Sequence, residues 1–424
     1  MGGNNGGGSD ECMKKFVSIA PCTLPHGLIT THEISPSKDR TLVEVNRFKG
    51  DVIIDHCWMK TTCAQKGESE VLILAVLTRI RGQNIASFND GEKDYDGNAS
   101  TLHIQWREHQ DLIGSTRRHS VDEVFPYRKA ITLPLNATSI AMNTKLLVIG
   151  SSVGAIFFKL DDLVIDHNES KDFGCKKNGK IRYDSLPSLR ILNAFVIHAM
   201  DISASYFVAV SGERLGVWSV SKIMNAFEYD SPVCVAEWSI KLEGQSRVTC
   251  IRFSITDDDI DGTYIVLCSW DGSAVVFRGA NAVWNRVIGP VQNDEVIPEK
   301  EATPIWERST FGNNQNLSPI FVEIIESNDV EASAILMVSA VNSTFLRLYD
   351  IESGRCGEII TNGNSKGETI QGIARLQIAS TEICGFVCID CNDKIEVLQI
   401  ETIRNALSAR SLENDTNRKT PFSY

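Results

Sequence analysis

Apolar residues in this chain arrive in short blocks. Runs such as KLLVIGSS, YFVAVSGE, YIVLCSWDGS and AILMVSAVNST hold a few Val, Ile, Leu or Phe residues and then break at Gly, Ser, Asn or Asp. Blocks of strand length rich in β-branched and aromatic residues, punctuated by turn formers, predict strands joined by tight connections. Helical spacing is nearly absent, the clearest instance being Glu401–Leu407 beside a polar tail. The longest apolar block, Val71–Leu77, has strand length and falls far short of the ~18 residues of a membrane-spanning helix. The pattern predicts an all-β chain.

Stacking the blocks exposes a repeat. Each unit reads as an apolar strand, a small or polar turn, and an alternating strand that in the clearest copies ends in an aromatic-plus-polar pair. The clearest copy runs from Leu267-Cys268-Ser269-Trp270-Asp271-Gly272 through Ser273–Val276 to Phe277-Arg278. Other copies end at Trp106-Arg107, Lys159-Leu160, Trp218-Ser219, Tyr349-Asp350 and Leu398-Gln399, and a weaker one at His32-Glu33. Successive ends lie 49 to 74 residues apart, whereas a four-stranded unit needs only about 40–45. The excess falls in polar insertions at Gln83–Ser100, Val164–Ser185, Thr256–Gly262 and Gln292–Ser318.

These copies resemble the WD-repeat β-propeller family. Ser269–Arg278 approximates its Ser-x-Asp-Gly turn and closing dipeptide, and Tyr349-Asp350 is close to that dipeptide. The copies depart from the family: only one keeps Asp-Gly in its turn, none ends in Trp-Asp, and none has the Gly-His pair. The resemblance implies one β-propeller over residues 12–407, between a Gly-rich leader (1–11) and a polar tail (408–424). Seven blades are expected, or six if the His32 copy is spurious. The last unit shows no fourth strand, while Phe16–Ala20, Gly27–Ile34 and Thr41–Lys49 are strand-like without a preceding partner. The ring is therefore expected to close by pairing N-terminal strands with the C-terminal blade.

Charge narrows the function. Lys and Arg number 42 against 54 Asp and Glu, a net charge of −12, which disfavours a protein that lives on nucleic-acid phosphate contacts. Twelve cysteines, with no apolar leader at the N-terminus, point to reduced thiols in the cytoplasm or nucleus.

Three literal motifs invite chemistry. Gly150-Ser151-Ser152-Val153-Gly154 matches a nucleophile elbow, which needs a strand before it and a helix after it. The sequence AIFFKL that follows reads as a strand, so a hairpin turn is expected. Cys384, Cys388 and Cys391 carry an iron–sulfur spacing, but on a strand Cys384 and Cys388 stand roughly 13 Å apart, too far to share one cluster. Asp257–Gly262 begins like a calcium loop, then offers Ile265 and Cys268 where closing oxygens belong. No metal and no cofactor are expected.

The reading that remains is a non-catalytic scaffold or adaptor subunit of a multiprotein complex. It has two alternatives: a propeller recruited to phosphoinositide membranes, or an enzyme with a site at the channel mouth. Arg117 and Arg118, in a polar connection, are the basic pair a lipid or protein partner could read. Trp306 and Arg308 stand among charges in a segment without strand pattern, near Glu299 and Glu301. Trp and Arg are enriched among interface anchors, and the acidic pair suits a basic partner. Trp106, Trp218, Phe277 and Tyr349, at strand ends, are expected to pack inside.

Overall fold

In the computed structural model the chain forms 27 strands and three short helices among the described residues. The described residues are those of the strands and helices named below, the turns at 135–136, 143–145, 152–153 and 203–205, and residues 164, 188, 196, 334 and 351. The strands make seven small sheets. The first holds β1 (Lys15–Ile19), β2 (Leu28–Ile34) and β3 (Arg40–Arg47). The second runs β4 (Asp51–Cys63), β5 (Ser69–Ile80), β6 (Ser100–Glu108), β7 (Tyr127–Leu133). The third is β8 (Ala137–Met142), β9 (Leu146–Ser151), β10 (Gly154–Lys159), β12 (Leu189–Leu192). Its chain detours between β10 and β12, where β11 (Lys180–Arg182) adds a fifth strand, parallel to β7, to the second sheet.

The fourth sheet is β13 (Ile197–Ile202), β14 (Tyr206–Ser211), β15 (Arg214–Ser219), β16 (Trp238–Lys241). The fifth is β17 (Val248–Phe253), β18 (Tyr264–Ser269), β19 (Ser273–Arg278), β20 (Trp306–Ser309). The sixth is β21 (Pro319–Ile325), β22 (Ile335–Ala340), β23 (Phe345–Asp350), β24 (Cys356–Ile360). The last is β25 (Ile370–Gln377), β26 (Ile383–Asp390), β27 (Ile395–Gln399). Apart from β11, consecutive strands pair antiparallel within each sheet.

The uninterrupted apolar blocks have a physical reason. The second strands β9, β14, β18 and β22 are buried on both sides, because their sheets are sandwiched between two others. Alternate residues of β9 divide between two cores: Leu147 and Ile149 face the second sheet, Leu146 and Val148 the fourth. On β14, Phe207 and Ala209 face one way while Val208 and Val210 face the other. Ile265 and Leu267 against Val266 and Cys268 repeat the arrangement on β18. A strand buried on both faces loses the polar alternation of a half-exposed one, so the period-2 signal vanishes where burial is deepest.

The repeat ends found in the sequence are the ends of third strands. Trp106, Trp218, Phe277 and Tyr349 are all buried there, as expected. One hydrogen bond recurs just past these ends. The N–H of Leu160 donates to the Lys145 carbonyl (2.8 Å), that of Val220 to Ser205 (2.8 Å), and that of Ile351 to Ala334 (2.9 Å). Each ties the residue after a third strand to the residue before the second.

Helices start at three of these ends: α1 (Leu160–Leu163), α2 (Val220–Glu228) and α3 (residues 400–407). The sequence reading found only α3. In α2, Val220, Ile223 and Ala226 are buried three apart, a face too short and too mixed with Ser, Lys and Asn to show as a helical period.

The first sheet is shifted by one place. Residues 48–50 join β3 to β4 and span at most about 14 Å, while an eight-residue strand such as β3 is about 26 Å long. β3 must end near where β4 begins, as the fourth strand β7 does before β8. β3, β2 and β1 therefore occupy the fourth, third and second places, and no described strand fills the first. The described ladders do not pair β1–β3 with β25–β27; β1 instead comes against β25 as a neighbouring strand.

Candidate functional site

The first strands β4, β8, β13, β17 and β21 lie side by side in chain order. Each, together with β25, carries one extra residue near its start. The register skips Ile54, Thr138, His198, Thr249, Ile320 and Gln371 in the ladders with the second strands. Such bulges bend a strand and increase its twist, and here they recur at one height. They also give a common count. The third residue after the bulge is Cys57, Ala141, Asp201, Arg252, Glu323 and Ala374 in turn, and the first is Asp55, Ser139, Ala199, Cys250, Phe321 and Gly372.

Three of these equivalent positions bring an ion triad together. Arg252 Nη1 lies 3.6 Å from Asp201 Oδ1 on one neighbouring strand, and its Nε lies 4.0 Å from Glu323 Oε2 on the other. Glu323 is almost wholly buried, with 2% of its side-chain surface open, Asp201 has 14%, and Arg252 keeps 31%. The guanidinium is densely surrounded yet still reached by solvent. Its Nη1 donates to the Ile251 carbonyl (3.3 Å), and Nε makes no hydrogen bond among the described residues. Burial lowers the Arg252 pKa, but Asp201 first, then Glu323, Cys250 and Asp55 raise it further, so the side chain stays cationic.

Asp55 belongs to the same field. Its Oδ2 accepts the Ile140 N–H of the next first strand (3.0 Å), and its Oδ1 accepts the N–H of His56 (2.8 Å). Asp201 and Glu323 likewise accept the amides of the residues that follow them, Ile202 (3.0 Å) and Ile324 (3.3 Å). Burial pushes the Asp55 pKa from 3.8 up to about 6, against the lowering effect of those two amides and of Arg252. The Cys57 thiol is pushed well up by burial and by Asp55.

Polar bonds also tie the neighbouring first strands. Thr138 donates to the Ile197 carbonyl (2.7 Å) and Asn143 Nδ2 to that of Ser203 (2.7 Å). Arg79 donates to the Ala137 carbonyl (3.0 Å) and to Asn136 Oδ1. Gly150 lets two sheets approach: a Cβ there would sit 2.5 Å from Ser139 Oγ and 3.0 Å from Ile197 Cγ2.

This cluster was legible but unread. A lone charge sits inside an apolar strand in IHAMDI, VTCIRF and PIFVEII, and aligning the three copies would have set Asp201, Arg252 and Glu323 in one row.

The residues singled out from the sequence fall elsewhere. Trp306 and Arg308 are not in a strandless insertion: they lie on β20, where Trp306 pairs with Val276 and Arg308 with Ala274. That corrects the loop reading, since four residues of the insertion complete a sheet. Lys180 and Arg182, inside the polar insertion Val164–Ser185, are the ends of β11. Arg117, Arg118, Glu299, Glu301, Cys391 and Asp257–Gly262 lie outside the described residues.

The elbow motif is a turn, as expected. Residues 152–153 connect β9 to β10, Ser152 N–H donates to the Asn136 carbonyl (3.0 Å), and Gly154 adopts φ 127°, a conformation suited to glycine. A strand follows where an elbow needs a helix. Cys384 and Cys388 share strand β26. Among the described residues no group of His, Cys, Asp and Glu is arranged to hold a metal, and no helix is long and apolar enough to cross a membrane.

No protein-family model and no curated protein matches the chain. Solved structures do. The chain is similar to the β-propeller domain of Myceliophteria thermophila Cps50 (Swd1), at 9% identity and TM-score 0.46, over 88% of this chain and 94% of that one. It is similar to the WD40 β-propeller domain of Doa1, at 10% identity and TM-score 0.39, over 93% and 99%. A third is Kluyvelomyces marxianus Hsv2, at 9% identity and TM-score 0.40, over 88% and 92%.

Proposed function

We propose that the chain is a seven-bladed propeller acting as a non-catalytic interaction scaffold within a larger protein complex. The ring closes where β1 meets β25, by packing of sheets. The observation that carries the scaffold reading is the length of the polar links that leave third strands. A third strand runs in the same direction as the first strand of its sheet, so it ends at the opposite rim from where first strands begin. The links leaving third strands include 109–126 and 279–305, and α1, α2 and α3 start at the same rim. A rim built from long polar links on stacked sheets presents variable contact residues on a fixed support.

Arg117 and Arg118 belong to the first of those links, and Glu299 and Glu301 to the second. They are the proposed contacts for a protein partner, with Trp306 and Arg308 at the start of the strand that the second link enters. The thiols of Cys57, Cys250 and Cys268 suit a reducing compartment, cytoplasmic or nuclear.

The test is affinity purification with mass spectrometry from the native source. It is repeated with Arg117 and Arg118 changed to Ala, with Glu299 and Glu301 changed to Lys, and with Trp306→Ala plus Arg308→Ala. A stoichiometric partner that is lost in at least one variant of unchanged melting temperature supports the scaffold. A chain that purifies alone, or a partner indifferent to all three changes, overturns this face.

A further inference from the structure

Two cysteines face each other across a ladder of the fifth sheet. Cys250 is the first residue after the Thr249 bulge of β17, and its partner in register on β18 is Cys268. Directly opposed residues of antiparallel strands have Cα atoms about 4.5 or 5.5 Å apart, and a disulfide spans about 4.4–6.8 Å between Cα atoms. Either spacing fits. Both side chains leave the sheet on one face: Cys268 lies in the core between the fifth and sixth sheets, and Cys250 packs against that same core. Elsewhere in the described ladders a cysteine meets another residue type, as Cys57 meets Ala75 and Cys356 meets Tyr349.

The two thiols differ in access. Cys268 is fully buried, whereas Cys250 is half-buried. The Arg252 guanidinium, two residues along the same strand, places positive charge near Cys250. Partial exposure beside a cation is the setting in which cysteines react. Burial pushes the Cys268 thiol well up, and Cys250 adds to this, so the inner sulfur keeps its proton. The bulge supplies slack. Opposed Cβ atoms start about 4.5–5.5 Å apart and a disulfide draws them to about 3.8 Å; a bulge interrupts the ladder and lets its strand twist by that much.

We propose that Cys250 and Cys268 form a reversible dithiol–disulfide site, closed by a hydroperoxide and reopened by a thiol reductant. The Cys250 sulfur takes the terminal oxygen of the hydroperoxide: the O–O bond breaks, an alcohol or water leaves, and a sulfenic acid remains. Cys268 Sγ then attacks Cys250 Sγ. The S–S bond forms, the S–O bond breaks, and the hydroxyl departs as water with the Cys268 proton. Two electrons pass in all from the two sulfurs to the peroxide. Exchange with a reducing thiol restores both cysteines. The bond would close residues 251–267 into a loop and fix the strand that carries Arg252.

Peptide mapping of the full, folded chain tests the site. Trypsin cleaves after Arg247, Arg252 and Arg278, which puts each cysteine on its own peptide, Val248–Arg252 and Phe253–Arg278. The chain is treated with rising doses of hydrogen peroxide, unfolded, alkylated and digested. The two peptides should appear as one species, two hydrogens lighter than their sum, before any other cysteine pair is linked, and dithiothreitol should return both. In Cys250→Ser the Cys268 peptide should stay alkylated at the same doses. Recovery of both wild-type peptides singly alkylated, a sulfinic acid at Cys250, or a link that forms only after unfolding in urea overturns the proposal.

Discussion

Replacing Arg252 with Met asks how much of the inner-strand assembly rests on one shared cation. Met keeps a long apolar stem, so the packing contributed by the Arg methylenes largely survives. What is lost is the charge 3.6 Å from Asp201 and 4.0 Å from Glu323. At an effective dielectric near 20 each contact has a raw attraction of about 4–5 kcal/mol, most of it offset by the desolvation of the ions. Removing one partner is costlier than the net value of the pair, because it strands the other ions; for buried pairs the penalty is about 3–5 kcal/mol.

Arg252 keeps 31% of its side-chain surface open, so solvent screens part of that. We expect a loss of about 2–4 kcal/mol at pH 8, read from urea denaturation midpoints. The pH dependence separates charge from packing. In the variant the buried carboxylates of Asp201 and Glu323 lose the cation they share, so the folded state gains more from their protonation and recovers stability as pH falls. The deficit should shrink between pH 8 and pH 5, and Asp201→Asn with Glu323→Gln added to Arg252→Met should restore most of it at pH 8. A deficit under about 0.5 kcal/mol, or one of equal size at both pH values, would refute the reasoning, because an exposed ion pair or a packing defect behaves that way.

Two further outcomes follow from the same packing. Gly150→Ala should cost about 1–3 kcal/mol by overpacking, since its Cβ would meet Ser139 Oγ at 2.5 Å; Ser139→Ala, which removes that oxygen, should recover part of the loss, and an additive double mutant would count against the clash. Deleting residues 1–50 removes β1–β3 and should abolish cooperative melting, whereas deleting 1–11 should not; a soluble, cooperatively melting 51–424 fragment would defeat ring closure through the first sheet.

Much of this fold could be read from the chain because burial and strand composition are tightly coupled. LLVIGS, YFVAVS, YIVLCS and ILMVSA announce the second strands, and a large side chain marks most third-strand ends. Fourth strands were harder. WERS and LRIL are short and sit at sheet edges, with few neighbours to impose an apolar pattern. Trp306 consequently looked like a loop residue.

The inner cluster escaped for another reason. A lone Asp, Arg or Glu in an apolar strand carries no spacing of its own, and the row emerges only once bulges set a common count. Asp55 was hidden further, because its partner is a backbone amide 85 positions away.

The fifth strand of the second sheet bears on how the chain assembles as it is made. β11 pairs with β7 only after the chain has laid down β8, β9 and β10 of the following sheet. During synthesis the outer edge of β7 therefore stays unpaired until residue 182 has emerged, and an unpaired edge is a template for another chain. The second and third sheets should thus mature as one unit, and the nascent chain should be most prone to exchanging strands with a neighbour between the completion of β7 and the arrival of β11. Pausing translation in that interval would lengthen the exposure, and with it the yield of entangled dimers.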